Sequence, residues 1–333
     1  MNFPLHLLGS ARLSFGRLFL LGLLLIALNN SSCARPIREA IREHRIEKWK
    51  TALKEEDDEN NPSRVLPEGV TLTRDLAYGS ASLQQLDVYW PAASTEPAPI
   101  LFMVHGGAWK FGDKRAASVV DNKVRRWVTQ GFVLVSINYR MLPDANPLEQ
   151  ADDVARALAY VQQHAAEYHG DPTRVILMGH SAGAHLVSFI SAHPDLAAKQ
   201  GAKPWLGTVS LDSAAFDVVE IMQHRHFKLY DEAFGKDEAF WKSASPYHVL
   251  TKPVPPILAV CSSRRDDSTK QAKQFAARAK QIGSPVTVHA EDLTHAEINK
   301  KLGEPGAYTD AVEAFLRTLD PVVAKKLGKR EIL

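Results

Sequence analysis

Two short segments carry residues able to do acyl chemistry, and they come in a fixed order. His105-Gly106-Gly107-Ala108-Trp109 precedes Gly179-His180-Ser181-Ala182-Gly183. The second has the G-x-S-x-G form that presents a serine hydroxyl on a sharp strand-to-helix turn. The first has the form of a glycine loop that lends backbone N–H groups to an oxyanion. A hydroxyl attacking a carbonyl builds negative charge on the carbonyl oxygen, and each preorganised N–H donor for that charge is worth about 3 kcal/mol. The pair therefore predicts acyl transfer through Ser181, with Gly106, Gly107 and Ala182 forming the oxyanion hole. A tight turn around a buried Trp109 is the structural alternative for the first segment.

Neither motif suffices alone, since a chance G-x-S-x-G arises in roughly one chain in ten of this length. The elements around them add the weight. Arg174 to Met178 reads RVILM, a short apolar run of the kind that forms a buried strand, and it follows the turn cluster Gly170-Asp171-Pro172. After Ser181 comes AHLVSFISAH, with Ala184, Leu186, Val187, Ile190 and Ser191 at helical spacing. Ser181 is thus expected at a strand-to-helix turn, where Gly179 and Gly183 leave room for close packing. Residues 98–104, APILFMV, read as a second buried strand that His105 ends.

A serine needs a base, and 13 histidines offer themselves. VTVH at 286–289 reads as a strand, followed by a loop holding His295 and a helix from about Gly306 to Leu319. A histidine after the last strand suits the chain order Ser, Asp, His. His44, His164 and His169 lie in a charged leader or near a helix end, and His180 and His185 flank the elbow, where they shape it rather than act. The carboxylate should fall between Ser181 and His295. ILAVC at 257–261 reads as a strand, and the polar loop after it holds Asp266 and Asp267 before the amphipathic helix QAKQFAARAKQIG. Asp267 is preferred to Asp266 as the residue that orients the imidazole, although both could simply cap that helix. Asp212 and Asp217, after a strand near 207–211, are the weaker candidates.

With these residues in place the chain resembles an α/β-hydrolase of the esterase/lipase superfamily. Its HGG-x-W branch is similar to bacterial carboxylesterases of the feruloyl-esterase-like type and to arylformamidases. The resemblance rests on YGSASLQQLDVYWPA (78–92), HGGAWKFGDK (105–114), VSINYRMLP (135–143), GHSAGAHL (179–186) and THAEINKKLG (294–303), and spans about residues 68–320. It implies an α/β-hydrolase fold, a mostly parallel central sheet flanked by helices, and hydrolysis of an ester or amide. The chain departs from the family at 261–263, where Cys-Ser-Ser replaces His-Gly-x and the loop to the acid is one residue longer. Fold alone does not supply a substrate.

The segment 213–250 interrupts the alternation of strands and helices and is read as a short cap insertion. Phe216, Met222, Phe227, Tyr230, Phe234 and Trp241 either line an acyl or aryl pocket or pack the cap onto the core. His224-x-His226 lacks a third ligand, so no metal and no cofactor is expected.

Arg12 and Arg17 precede the apolar run Leu18–Leu28, and small residues follow at 29–34. This pattern is that of a secretory leader, and the run is too short for an ordinary membrane span. Cys33 after small residues resembles a lipobox, with Asn30 a poor fit. The expectations are lipid attachment at Cys33, cleavage after Ala34, or an uncleaved anchor, in that order. All three place the protein outside the cytoplasm, in the periplasm or tethered to a membrane. Residues 35–67 form a charged spacer, 68–320 the catalytic domain and 321–333 a C-terminal tail.

The chain holds 40 basic and 38 acidic residues, and loss of the leader would leave 38 of each. Near neutrality argues against a nucleic-acid ligand. With Cys33 in the leader or acylated, Cys261 has no disulfide partner and reads as a small buried hydrophobe. The function expected is cleavage of a small carboxylic ester by a Ser-His-Asp triad through an acyl-enzyme. The rivals are an arylformamidase-like amide hydrolase, a serine peptidase and a non-catalytic binding protein of the same fold. The sequence leaves oligomeric state open.

Overall fold

The computed structural model describes residues 65–328, apart from residue 95. The leader, Cys33 and most of the charged spacer lie outside the described residues. Eight strands form one sheet: β1 Val70–Ala77, β2 Gln85–Pro91, β3 Ala98–Val104, β4 Val133–Ile137, β5 Gly170–His180, β6 Gly207–Leu211, β7 Ile257–Ser262 and β8 Val286–Glu291. Their spatial order is β1-β2-β4-β3-β5-β6-β7-β8. The β1–β2 and β2–β4 pairs are antiparallel, and every other pair is parallel.

The sequence dictates this arrangement through burial. All residues of β3, β4, β6 and β7 are buried, as expected of parallel strands covered on both faces. Side chains alternate between the two layers. Ile100, Phe102, Val104, Val175 and Leu177 face one core, while Leu101, Met103, Ile176 and Met178 face the other. Each such side chain, fully buried, contributes about 1.5–3 kcal/mol. The end strands β1 and β8 are only partly buried.

The helices cover the two faces. α1 (Ala117–Trp127) and α2 (Pro147–His164) flank β4, and α2 starts where Asn146 and Glu149 close a capping box ahead of Pro147. α3 (Ala182–Ala192) follows β5, and α4 (Pro194–Lys199) continues from it. The insertion after β6 folds as four short helices: α5 Val218–Gln223, α6 Lys228–Phe234, α7 Glu238–Ser243 and α8 Pro246–Val249. α9 (Asp266–Gln281) joins β7 to β8, and α10 (His295–Lys300), α11 (Ala307–Leu319) and α12 (Pro321–Lys326) complete the chain.

Three local expectations differ from what forms. The Gly170-Asp171-Pro172 cluster lies within β5, as an irregularity between the Ala98–Gly170 and Ile100–Val175 pairs. The start of the expected tail is helix α12, which buries Val323 and ends on the buried Leu327. His295 opens a helix rather than sitting in a loop, because Thr294 and Glu297 form a capping box around it.

The parallel strands all run the same way, so the residues that leave β3, β5, β6, β7 and β8 emerge along one rim of the sheet. The chain goes from β3 outward to β4 and then returns to the other side of β3 as β5. In an open α/β sheet the strand ends at such a reversal, here those of β3 and β5, are the usual place for a ligand.

Candidate active site

Ser181 stands at the tip of the turn between β5 and α3, with φ 54° and ψ −115°. Backbone in this region is strained for a residue with a Cβ, and such strain gathers at functional sites. The turn is held by the Ser181 N–H, which donates to the Leu211 carbonyl at the end of β6, 2.9 Å away. The flanking glycines are dictated by contact. A Cβ at Gly179 would lie 2.4 Å from the Gly183 carbonyl oxygen, and one at Gly183 would lie 2.3 Å from the Val104 oxygen. No side chain fits either gap.

The loop after β3 runs beside this turn. A Cβ at Gly106 would lie 3.0 Å from the Ser181 Cβ. Gly107, Ala108 and Trp109 follow with positive φ of 112°, 56° and 61°, a run that turns successive amides aside from the strand direction. The N–H groups of Gly107 and Ala182 donate to no acceptor among the described residues. The loop is fixed from below. His105 stacks on Tyr139 with ring centroids 4.6 Å apart, and the Tyr139 hydroxyl donates to the His105 carbonyl at 3.2 Å.

His295 reaches Ser181. Its Nε2 lies 3.0 Å from the Ser181 Oγ, and its Nδ1 lies 2.5 Å from Asp212 Oδ2. Asp212 follows β6, has φ 53° and is fully buried. Four donors surround its carboxylate. His295 Nδ1 and Arg265 Nη1 meet Oδ2, while the Ser262 N–H at 2.8 Å and the Ser268 hydroxyl at 2.5 Å donate to Oδ1. Burial alone would push this carboxyl up. The hydrogen bond and charge of His295, the Arg265 cation and the Ser262 amide outweigh burial and hold it well below the usual carboxylate range.

The structure thus sets a different carboxylate, Asp212, against His295 from the one expected. Asp267 is not brought to His295. It lies in the first turn of α9 with its side chain half exposed, accepts the Ser268 N–H at 2.8 Å and pairs with Arg265 at 3.0 Å. The reason is the neighbourhood of strand ends. β6 and β7 are adjacent and parallel, so a residue after either can approach an imidazole that follows β8. The loop after β7 delivers the Arg265 guanidinium to that place, and the end of β6 delivers the carboxylate. The only sequence signal for Asp212 was its position directly after a buried strand. Asp266 is likewise not against His295, and Asp217 caps α5.

The departure at Cys261-Ser262-Ser263 also finds a use. The Ser262 amide binds Asp212, and its hydroxyl donates to the Leu293 carbonyl at 2.5 Å, tying β7 to the turn that carries His295. Cys261 is buried and free.

The histidines beside the elbow serve as braces. His180 Nε2 donates to the His295 carbonyl at 3.0 Å, and the two rings lie 4.5 Å apart. Burial holds His180 well below the usual histidine value. His185 accepts from the Trp109 indole N–H at 3.1 Å and donates to the Ala244 carbonyl at 2.8 Å. It joins the glycine loop, the elbow helix and the cap, and burial pulls it down to about 4.

The cap aromatics divide. Phe234 and Tyr230 pack on Trp109, Phe216 stacks on Phe275 of α9, and Met222 is buried, so these hold the cap to the core. Phe227 is exposed, and Trp241 donates its N–H to the Phe234 carbonyl at 3.1 Å. His224 and His226 bond to local backbone and to Asp231, and no metal-binding cluster occurs among the described residues.

A mostly parallel sheet carrying a serine on a strained turn after β5, beside a glycine loop after β3, defines an α/β-hydrolase. Within that class, the BD-FAE family matches residues 86–278, more than half of the chain. The chain belongs to this feruloyl-esterase-like family. It is 29% identical over 277 residues to the esterase LipQ of Mycobacterium tuberculosis (strain ATCC 25618 / H37Rv), covering 78% of this chain and 64% of that protein. It is 36% identical over 115 residues to the probable isoprenylcysteine alpha-carbonyl methylesterase ICMEL1 of Arabidopsis thaliana, covering 34% and 24%. The chain therefore spans less than two thirds of the length of these relatives. Among solved structures, esterase B from Lactobacillus rhamnosis (HN001) superposes with a TM-score of 0.66 at 18% identity, over 87% of this chain and 96% of that one. The apo form of Thermogutta terrifontis esterase 2 gives 0.63 at 20% identity, over 81% and 100%. These two likenesses carry the fold.

Proposed function

We propose that the protein is a serine carboxylesterase in which Ser181, His295 and Asp212 act together. The continuous contact from the Ser181 Oγ through both ring nitrogens of His295 to a buried carboxylate carries this reading. Esterases among the relatives support it. Ser181 Oγ attacks the ester carbonyl carbon while His295 Nε2 takes its proton. The oxygen of the tetrahedral intermediate turns to the N–H groups of the Gly106–Gly107 loop and Ala182. Collapse breaks the bond to the alkoxy oxygen, which leaves as the alcohol with the proton from His295, and Ser181 holds the acyl group. Water then attacks the acyl-enzyme with His295 again as base, and the acid is released. Asp212 stabilises the imidazolium in both halves and remains ionised.

The test is a panel of p-nitrophenyl esters of graded chain length beside an aryl formamide, with wild type and Ser181→Ala. Ester turnover lost in Ser181→Ala is expected. A preference for the formamide would favour the arylformamidase-like alternative, and equal rates in the two proteins would refute the serine mechanism. The leader supports a second proposal, that the enzyme is exported and tethered through an acylated Cys33. Wild type should then pellet with membranes and incorporate labelled lipid, and Cys33→Ser should lose the label. Equal soluble distribution of both would leave ordinary secretion.

A further inference from the structure

Among the described residues, Arg265 is the one cation in contact with the proposed triad. It is the residue just before α9, and its guanidinium touches three partners. Nη1 lies 2.8 Å from Asp212 Oδ2 and 2.7 Å from His295 Nδ1, and Nη2 lies 3.0 Å from Asp267 Oδ2. The first two contacts cannot both be hydrogen bonds in the working state. When Nδ1 bears the proton it donates to Asp212, Nη1 donates to the same oxygen, and two electron-poor nitrogens stand side by side. When the proton sits on Nε2 instead, Nδ1 can accept from Arg265, but the ring then presents a donor to Ser181 and cannot act as base.

We propose that Arg265 is a positioning residue for ester cleavage. Anchored outward by Asp267, it fixes which oxygen of Asp212 meets the imidazole and opposes the build-up of positive charge on the ring. It has this role only if Ser181 and His295 act as proposed above. The surroundings leave it to this task. Facing Arg265 or His295 are Asp212 from the end of β6, Asp267 from α9, Tyr230 from α6 and His180 from the end of β5, with Lys123 of α1 acting on His180, and Glu291 of β8 and Asp212 acting on Tyr308 of α11. Burial pushes the Tyr230 hydroxyl up to about 12 and Tyr308 well above its usual value, and holds His180 well below its own. Among the described residues, Arg265 therefore brings a fixed charge against the Asp212–His295 pair, and Asp267 lies behind it on the guanidinium. A fixed cation beside a base disfavours the base's charged form.

The consequence is a readout that a purely structural role would not move. In Arg265→Met the acid-side midpoint of the kcat/KM profile for p-nitrophenyl butyrate should rise by about one unit. Arg265→Lys keeps the charge and loses the fork, so its midpoint should stay near that of wild type while its plateau rate falls. Asp267→Asn, at a half-exposed position, should fold normally. It leaves the guanidinium less compensated, and its midpoint should fall by a few tenths of a unit. A folded Arg265→Met with an unmoved or lowered midpoint would overturn the proposal. A raised midpoint in Asp267→Asn would do the same, even if Arg265→Met does not fold. Loss of the serine mechanism itself reads differently: Ser181→Ala would then keep wild-type turnover whatever the Arg265 variants do.

Discussion

Replacing Asp212 by Asn tests the site at the point where it departs from expectation. The amide keeps the size of the side chain and removes its charge. In wild type the carboxylate Oδ2 lies 2.5 Å from His295 Nδ1, close enough to require the proton on Nδ1 and a lone pair on Nε2 facing Ser181. An amide can turn its NH2 toward Nδ1, and Arg265 Nη1, 2.7 Å away, offers a second donor to the same nitrogen. Both stabilise the tautomer with the proton on Nε2, which cannot accept the Ser181 proton. The loss of the anion also leaves the transient imidazolium without its counter-charge. In a serine-histidine-aspartate site this combination lowers kcat by about 10⁴-fold, or about 5.4 kcal/mol of activation free energy. Purified Asp212→Asn should therefore hydrolyse p-nitrophenyl butyrate about 10⁴ times more slowly than wild type at pH 8, with KM nearly unchanged. Asp267→Asn, whose side chain is 51% exposed and faces Arg265, should stay within about 3-fold of wild type. Circular dichroism and thermal melts of both variants separate catalysis from folding. If Asp212→Asn, properly folded, keeps a tenth of its activity while Asp267→Asn loses a thousandfold, the assignment of the acid is wrong.

A fluorophosphonate probe should label wild type and spare Ser181→Ala, and labelling that survives the substitution would point to another nucleophile. Gly183→Ala places a Cβ 2.3 Å from the Val104 oxygen, so its Tm should drop by at least about 5 °C, and an unchanged melt would refute the close approach of elbow and β3. His185 is buried and neutral with its value pulled down to about 4, below the roughly 6.5 of an unfolded chain. The native state then binds fewer protons than the unfolded state between these values, so stability should decline as pH falls from about 6.5 to 4, by up to about 3 kcal/mol from this residue. Urea unfolding across that window reads it, and a His185→Gln variant with an undiminished slope would assign the effect elsewhere. Asp212 acts in a lower window, since its folded value lies below the usual one. Its contribution is present above about pH 4 and is lost on further acidification, so Asp212→Asn should flatten the acid limb of the stability curve below that pH.

What could be read from the chain alone was whatever depends on a few consecutive residues. The elbow at 179–183 needs two glycines because backbone packs against backbone there, and that need is written within five residues. The glycine loop after β3, the fully apolar strands and the helix caps are local in the same sense. So is the order of strand, turn and helix that puts Ser181 and His295 on one rim of the sheet. Which carboxylate meets His295 was not local. Asp212 and Asp267 both follow buried strands, and both fall between Ser181 and His295 in sequence. Only the pairing of β6 with β7, and the direction in which each chain leaves its strand, brings one carboxylate against Nδ1 and sends the other outward. The same is true of Arg265, which in sequence is one of two adjacent arginines in a polar loop and in the fold stands between two carboxylates and an imidazole. Local pattern fixes which atoms a segment can present. Which of them meet is decided by the sheet, because contacts between residues more than 50 positions apart depend on strand order and not on composition.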